Sequence, residues 1–188
     1  MSLTKEPLSL ASDEFLMQQI CAQQSAALEI LYNRYFDKLT WFASGYTKDL
    51  AQAEDLVQEV FMKIIEQPHL FNSAQKFSTW VYTLTANRCK NQLRNHSKQQ
   101  ELMKHQPVDF RIESHSLHDY EKLKSHIKLG LLELSEKEKA IFTLRFHEEL
   151  SLTEIAKIIQ IPEGSVKSGL YYLLKKLSKK LSIFIHDK

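Results

Sequence analysis

The chain is short of the residues that punctuate structure. Its 188 residues include only four glycines and four prolines. That is too few for the tight turns of a sandwich or barrel, so a β architecture is disfavoured and a helical chain expected. Four glycines also leave no phosphate-binding loop, which argues against a nucleotide-using enzyme. Cysteine is nearly as scarce. Cys21 and Cys89 have no paired spacing and fall inside helical patterns, so they read as buried free thiols in a reducing compartment. No run approaches the ~20 apolar residues of a membrane span, and no basic start leads into an apolar stretch. Neither membrane insertion nor a signal peptide is expected, and the chain reads as cytoplasmic.

The most informative absence is local. From Gln67 to Gln100 there is no acid, and the charged residues Lys76, Arg88, Lys90, Arg94 and Lys98 are all positive, although the whole chain carries only +2. A second acid-free stretch, Ser165 to Ser182, holds Lys167, Lys175, Lys176, Lys179 and Lys180. Charge separated in this way points to nucleic acid.

Helical periodicity runs through the rest. Helices are expected at about Asp13–Ala22 behind Ser12 as N-cap, Ala26–Tyr46, Asp49–Glu66 and Ser78–His96. Residues 97–118 lose the apolar period, contain Pro107 and read as a flexible linker. Four shorter helices follow, at about Asp119–Glu133, Glu136–His147, Leu152–Gln160 and Glu163–Leu181. Two of them begin with a capping box, Ser135 with Glu138 and Ser151 with Glu154. The fold class is all-α: a helical domain over 1–96, a linker over 97–118, and a second helical domain over 119–188. A shared core for the two halves is the alternative, which the long polar gap disfavours.

Three helices carry distinctive faces. In the fourth, Thr83, Asn87, Lys90 and Arg94 share a stripe bordered by Trp80, opposite Val81, Tyr82, Leu84, Cys89 and Leu93. Cations neutralise phosphates, Asn pairs with base edges, and Trp stacks an unpaired base. A solvated basic face is the bland reading. "SLTEIAKIIQIPEGSVKSGLYYLLKKL" is laid out as a helix-turn-helix. Its second helix buries Val166, Leu170, Leu173, Leu177 and Leu181, and presents Ser168, Tyr171, Tyr172, Lys175 and Lys179 outward. In "AEDLVQEVFMKIIEQ", Leu56, Val57, Val60, Phe61, Ile64 and Ile65 face inward and Asp55, Gln58, Glu59, Met62 and Glu66 outward. Exposed Met among carboxylates suits a protein partner.

These three motifs, in this order, resemble bacterial RNA polymerase sigma factors of the extracytoplasmic-function type, over nearly the whole chain from Asp13 to Leu181. "AEDLVQEVF" resembles their core-binding segment, "FSTWVYTLTANRCKNQLR" their −10 reading and melting segment, and "LSEKEKAIFTLRFHEELSLTEIAKIIQIPEGSVKSGL" their −35 binding region. The resemblance implies binding to the clamp helices and flap of core polymerase, with Asp55, Gln58, Glu59 and Met62 at the clamp. It also implies promoter DNA as ligand. Lys76, Trp80, Asn87, Lys90, Asn91 and Arg94 would meet the −10 element, and the loop Phe71–Phe77 would hold an extruded base. Ser165, Lys167, Ser168, Tyr171, Tyr172 and Lys175 would meet the −35 element. An anti-sigma partner is implied as well; no catalytic residue, metal or cofactor is. The chain departs from the family pattern at Gln160, where a turn glycine is common, and at Gly169 and Tyr172, where arginines are usual.

Rival readings fit less well. Pro68 breaks the helix that a di-iron site would need at "EQPH", and "HEE" at His147 lacks the second His of a metalloprotease. His105, His115, His118 and His126 lie in or near the linker without Cys partners. A stand-alone helix-turn-helix repressor leaves the acidic and basic helices of the first half idle.

Overall fold

The computed structural model describes residues 8–100 and 134–186, with side chains to residue 94 and from 134 to 179. Every regular element among them is helical. The N-terminal half consists of α1 (Asp13–Cys21), α2 (Ser25–Thr47), α3 (Leu50–Glu66) and α4 (Phe77–Gln100), with short 3-10 turns at Leu8–Leu10 and Pro68–Leu70. The C-terminal half consists of α5 (Glu136–Phe142), α6 (Leu152–Ile159) and α7 (Glu163–His186), with a π turn at Thr143–His147 between α5 and α6. The expected helix at 119–133 and most of the expected linker lie outside the described residues. No described helix is long and apolar enough to cross a membrane.

Local chemistry sets most helix starts. Ser12 accepts the Phe15 N–H at 3.2 Å, and Asp49 accepts the Gln52 N–H at 3.0 Å, each satisfying an otherwise orphaned donor. Both capping boxes form: the Ser135 N–H donates to Glu138 at 2.7 Å and the Ser151 N–H to Glu154 at 2.8 Å. The α4 start has a different cause. The Phe77 N–H donates to the Glu14 carboxylate of α1 at 2.9 Å, so a residue far away in sequence supplies an acid at the positive end of the basic helix.

Apolar stripes then drive the packing. Leu31, Tyr35, Leu39 and Phe42 of α2 meet Leu56, Val57, Val60, Phe61 and Ile64 of α3 and Phe77, Val81 and Tyr82 of α4, all buried. The same buried cluster continues into Ala140, Ile141, Leu144, Ile155, Ile158 and Val166. The two helical halves rest on each other, α2 against α5 and α4 against α6.

Several expectations change. α4 runs on to Gln100, into the stretch read as linker, and α7 runs to His186. Cys21, the last residue of α1, is exposed, while Cys89 is buried as expected. Ile65 is 46% exposed and Leu93 41%. Ile65 sits in the last turn of α3, just past the buried Ile64, and Leu93 lies a turn beyond Cys89, the last buried residue among the described side chains of α4.

Glycine scarcity shows in the turns. Among the described residues, all the positive φ values belong to non-glycine residues, Gln23, Lys48, Glu149 and Gln160. Each occupies a conformation that costs a side-chain-bearing residue roughly 1–2 kcal/mol. Gly169 serves a different purpose. A Cβ there would stand 2.6 Å from the Ile141 Cδ1 of α5, and Ile141 is fully buried. The position thus packs against α5.

Two outcomes follow from this packing. Gly169→Val is expected to destabilise the chain by about 1–3 kcal/mol through overpacking, read as a lower urea midpoint. A single thiol, Cys21, is expected to react rapidly with a disulfide reagent in the native protein. Burial pushes the Cys89 thiol up to about 12 from its ordinary value of 9.0. The buried thiol therefore favours the fold below about pH 9 and loses that contribution as pH rises toward 12, which urea titrations across this range will register.

Candidate nucleic-acid interface

The acid-free α4 is held by its aromatic end. Phe71, Phe77 and Trp80 form a cluster with ring centroids 5.3 to 5.9 Å apart. Phe71 and Phe77 thus pin both ends of a loop whose middle, Asn72 to Lys76, is exposed. Asn72 accepts the Ala74 N–H at 2.9 Å and stiffens that loop. Trp80 is half-buried, with one edge available. Two and three turns further on, Asn87 and Asn91 are exposed, Lys90 is half-buried and Arg94 is exposed. The stripe read from sequence is thus a real face of the helix.

α3 lies beside it with the opposite character. Asp55, Gln58, Glu59 and Met62 line a groove of roughly 770 Å³, whose other wall carries Asn87, Arg88 and Asn91 of α4. The structure thus brings the acidic residues together and sets them against part of the basic stripe. Arg88 clasps Glu59 across this groove. Sequence reasoning gave Arg88 no role, because its partner is fixed only by how α3 and α4 pack. The ion pair also leaves Glu59 less free for a partner than Asp55. Both side chains are about half exposed, so the pair contributes little stability.

On α7, Lys167, Ser168, Tyr171, Tyr172 and Lys175 are exposed, and Ser165 is half-buried. Tyr171 and Tyr172 are 61% and 62% exposed. Their rings meet edge to face, with centroids 5.4 Å apart. Val166 and Leu173 are buried on the other side, Leu170 and Leu177 half-buried. The turn that leads into α7 ends α6 at Gln160, in left-handed geometry with φ 57° and ψ 51°.

Where the halves meet, polar groups of the C-terminal half reach the first. Glu148, with only 6% of its side chain exposed, accepts from Lys38 at 3.1 Å and from the Tyr82 hydroxyl at 3.3 Å. Burial and the adjacent Glu148 charge hold Tyr82 well above the usual phenol range. Lys76 stands 3.8 Å from Glu154. Lys90 donates to the Ile159 carbonyl at 3.0 Å and to Gln160 Oε1 at 2.9 Å, and Gln160 Nε2 donates to Asn87 Oδ1 at 3.3 Å. Burial lowers the Lys90 pKa. Glu148, Glu154 and Gln160 carried no signal of this role in sequence. Among the described residues no His, Cys, Asp or Glu side chains gather as a metal site; His105, His115, His118 and His126 lie outside them.

Comparison with known proteins bears on the same surfaces. Residues 31–99 match the family described as Sigma-70 region 2, and residues 130–179 the family Sigma-70, region 4. Together they take in well over half of the chain. The chain is similar to the RNA polymerase sigma-H factor of Pseudomonas aeruginosa, 24% identical over 191 residues, covering 96% of this chain and 99% of that protein. It is similar also to the ECF RNA polymerase sigma factor SigW of Bacillus subtilis, 26% identical, with 88% and 94% covered. The sigma factor RpoE of Bartonella quintana, solved in complex with the anti-sigma factor NepR, shares its fold, with a TM-score of 0.60 at 20% identity. That match covers 82% of this chain and 96% of that one.

Proposed function

The chain belongs to the sigma-70 family as a sigma factor of the extracytoplasmic-function type, a promoter-recognising transcription initiation factor, and we propose how its surfaces divide that work. Its region 2 matches residues 31–99 and its region 4 residues 130–179. The N-terminal half, α1–α4, binds core polymerase and opens the −10 element, while α5–α7 bind the −35 element. The protein has no chemistry of its own and acts in the cytoplasm, where polymerase and DNA are.

One observation carries the reading. A single groove sets the acid-bearing face of α3 against an α4 face with no acid on it. Carboxylates and a flexible Met suit a basic protein surface such as the polymerase clamp helices. Amides, cations and an aromatic edge suit separated DNA strands, whose phosphates and unstacked bases need those groups. Asp55, Gln58, Glu59 and Met62 contact core, and Lys76, Trp80, Asn87, Lys90, Asn91 and Arg94 contact the −10 strand. On α7, Ser165, Lys167, Ser168, Tyr171, Tyr172 and Lys175 contact the −35 duplex. An anti-sigma factor that covers these faces is the expected regulator, in keeping with the partner of the Bartonella relative.

Core binding is testable by charge. Asp55→Lys with Glu59→Lys is expected to weaken assembly with core polymerase at least tenfold at fixed salt, with circular dichroism unchanged. Equal core affinity for the variant and wild type would sink the α3 assignment. On α7, phenols meet thymine methyls and phosphates, whereas arginine favours guanine. Tyr172→Arg is therefore expected to shift selected −35 sequences toward guanine. Lys175→Ala is expected to weaken all sites alike and to lower the salt slope by about one unit. Site selection by both variants, with salt titrations, checks this.

A further inference from the structure

α4 begins beside a residue that cannot cap it. Lys76 precedes Phe77; its ammonium can only donate, and its charge has the wrong sign for the positive end of a helix. A helix start needs acceptors for its first N–H groups, and Ser, Thr, Asp or Asn in this place would supply one. In the division of surfaces given above, Lys76 serves the −10 strand instead. The acceptor comes from another helix: Glu14 of α1 takes the Phe77 N–H on its Oε1 at 2.9 Å.

Glu14 is itself held in place. Its neighbour Asp13 accepts from the Arg34 guanidinium and the Tyr35 hydroxyl of α2. Arg34 also donates to the Ser9 and Ala11 carbonyls, at 2.6 and 3.0 Å. The first turn of α1 is thereby tied to α2 by one carboxylate and to α4 by the next. Phe77 is fully buried, and its ring meets Tyr35 edge to face with centroids 5.1 Å apart. The Trp80 N–H, one turn on, donates to the Lys76 carbonyl at 3.2 Å. Glu14 thus fixes the end of the loop Asn72–Lys76 from which both Lys76 and Trp80 project. It does so from outside the stretch 31–99 that matches region 2.

Charge argues for placement and against contact. A carboxylate offered to a DNA strand repels its phosphates, whereas one bonded to the positive end of a helix is stabilised there.

We propose that Glu14 is a positioning residue for −10 reading, which by accepting the Phe77 N–H keeps Lys76, its loop and the Trp80 edge in their strand-binding arrangement before DNA arrives. The inference rests on the assignment of α4 and the loop before it to the −10 strand. A loop ordered in advance loses less freedom on binding. Loss of Glu14 therefore weakens base discrimination at the loop, while Lys90 and Arg94, farther along α4, keep their phosphate contacts.

The test uses holoenzyme assembled from core polymerase and the full chain. Binding strands are selected from a randomised 20-nucleotide single-stranded pool, and a winning strand is labelled with fluorescein. Anisotropy compares it with the same strand carrying an abasic site at its most selective position. Glu14→Ala is expected to reduce the ratio of the two affinities about fivefold, with the salt slope unchanged. Glu14→Gln keeps the Oε1 acceptor and is expected to stay within about twofold of wild type. Asp49→Ala, which orphans a first-turn donor of α3, controls for lost stability. It is expected to lower the urea midpoint, as Glu14→Ala does, and to leave the ratio intact.

A wild-type ratio for Glu14→Ala would overturn the proposal. An equal loss in Glu14→Gln would overturn it too, by showing that charge and not the hydrogen bond is at work. So would an equal loss in Asp49→Ala, by showing general destabilisation. Trp80→Ala with Asn87→Ala tests the surface itself. If that variant keeps wild-type affinity and ratio, the −10 assignment has failed. If it loses the ratio while Glu14→Ala keeps it, only the role of Glu14 has failed.

Discussion

A carboxylate taken out of water must be met by donors, and Glu148 finds two in the other half of the chain. Lys38 of α2 supplies charge, and Tyr82 of α4 supplies a hydroxyl. An unpaired buried carboxylate would cost several kcal/mol, so the end of the π turn, where Glu148 caps it, is confined to the one place where these donors converge. The junction of α2 with α5 and of α4 with α6 depends on that constraint. Apolar contact alone, being non-directional, would allow the halves to slide. Buried Glu148, met by part-exposed Lys38 and by Tyr82, fixes where they stop.

The remaining polar contacts across the junction are of a different kind. Lys48–Glu136 and Lys76–Glu154 are largely exposed, with side chains 79% and 41%, and 66% and 31% accessible. Exposed pairs of this sort are worth about 0–1 kcal/mol each and weaken with salt. They bias the arrangement without locking it. Tyr171 and Tyr172 stay exposed in the same arrangement.

What sequence revealed is what local physics determines. The capping boxes at Ser135 and Ser151, the Ser12 cap and the outward stripe of Asn87 and Tyr171 follow from 3.6-residue periodicity and short-range hydrogen bonding. Long-range features were silent. The α4 start depends on Glu14 of α1, the ion pair of Arg88 with Glu59 on how two helices pack, and the exposure of Ile65, Leu93 and Cys21 on where neighbouring cover ends. The packing of Gly169 against Ile141 was silent for the same reason.

The shortage of glycine, which first argued for helices, also accounts for how the halves are joined. Among the described residues the chain makes its left-handed turns with Gln23, Lys48, Glu149 and Gln160, accepting strain at each. At two of them the long side chain spans the junction: Lys48, closing α2, reaches Glu136, and Gln160, closing α6, reaches Asn87 and Lys90. Helix ends are where the backbone projects furthest from its own half, so a side chain kept there extends across the boundary where a glycine would stop short. The strain at these caps and the contact between the halves are thus one device. Restoring glycine at either cap would trade a coupled pair of domains for two more relaxed and more independent ones.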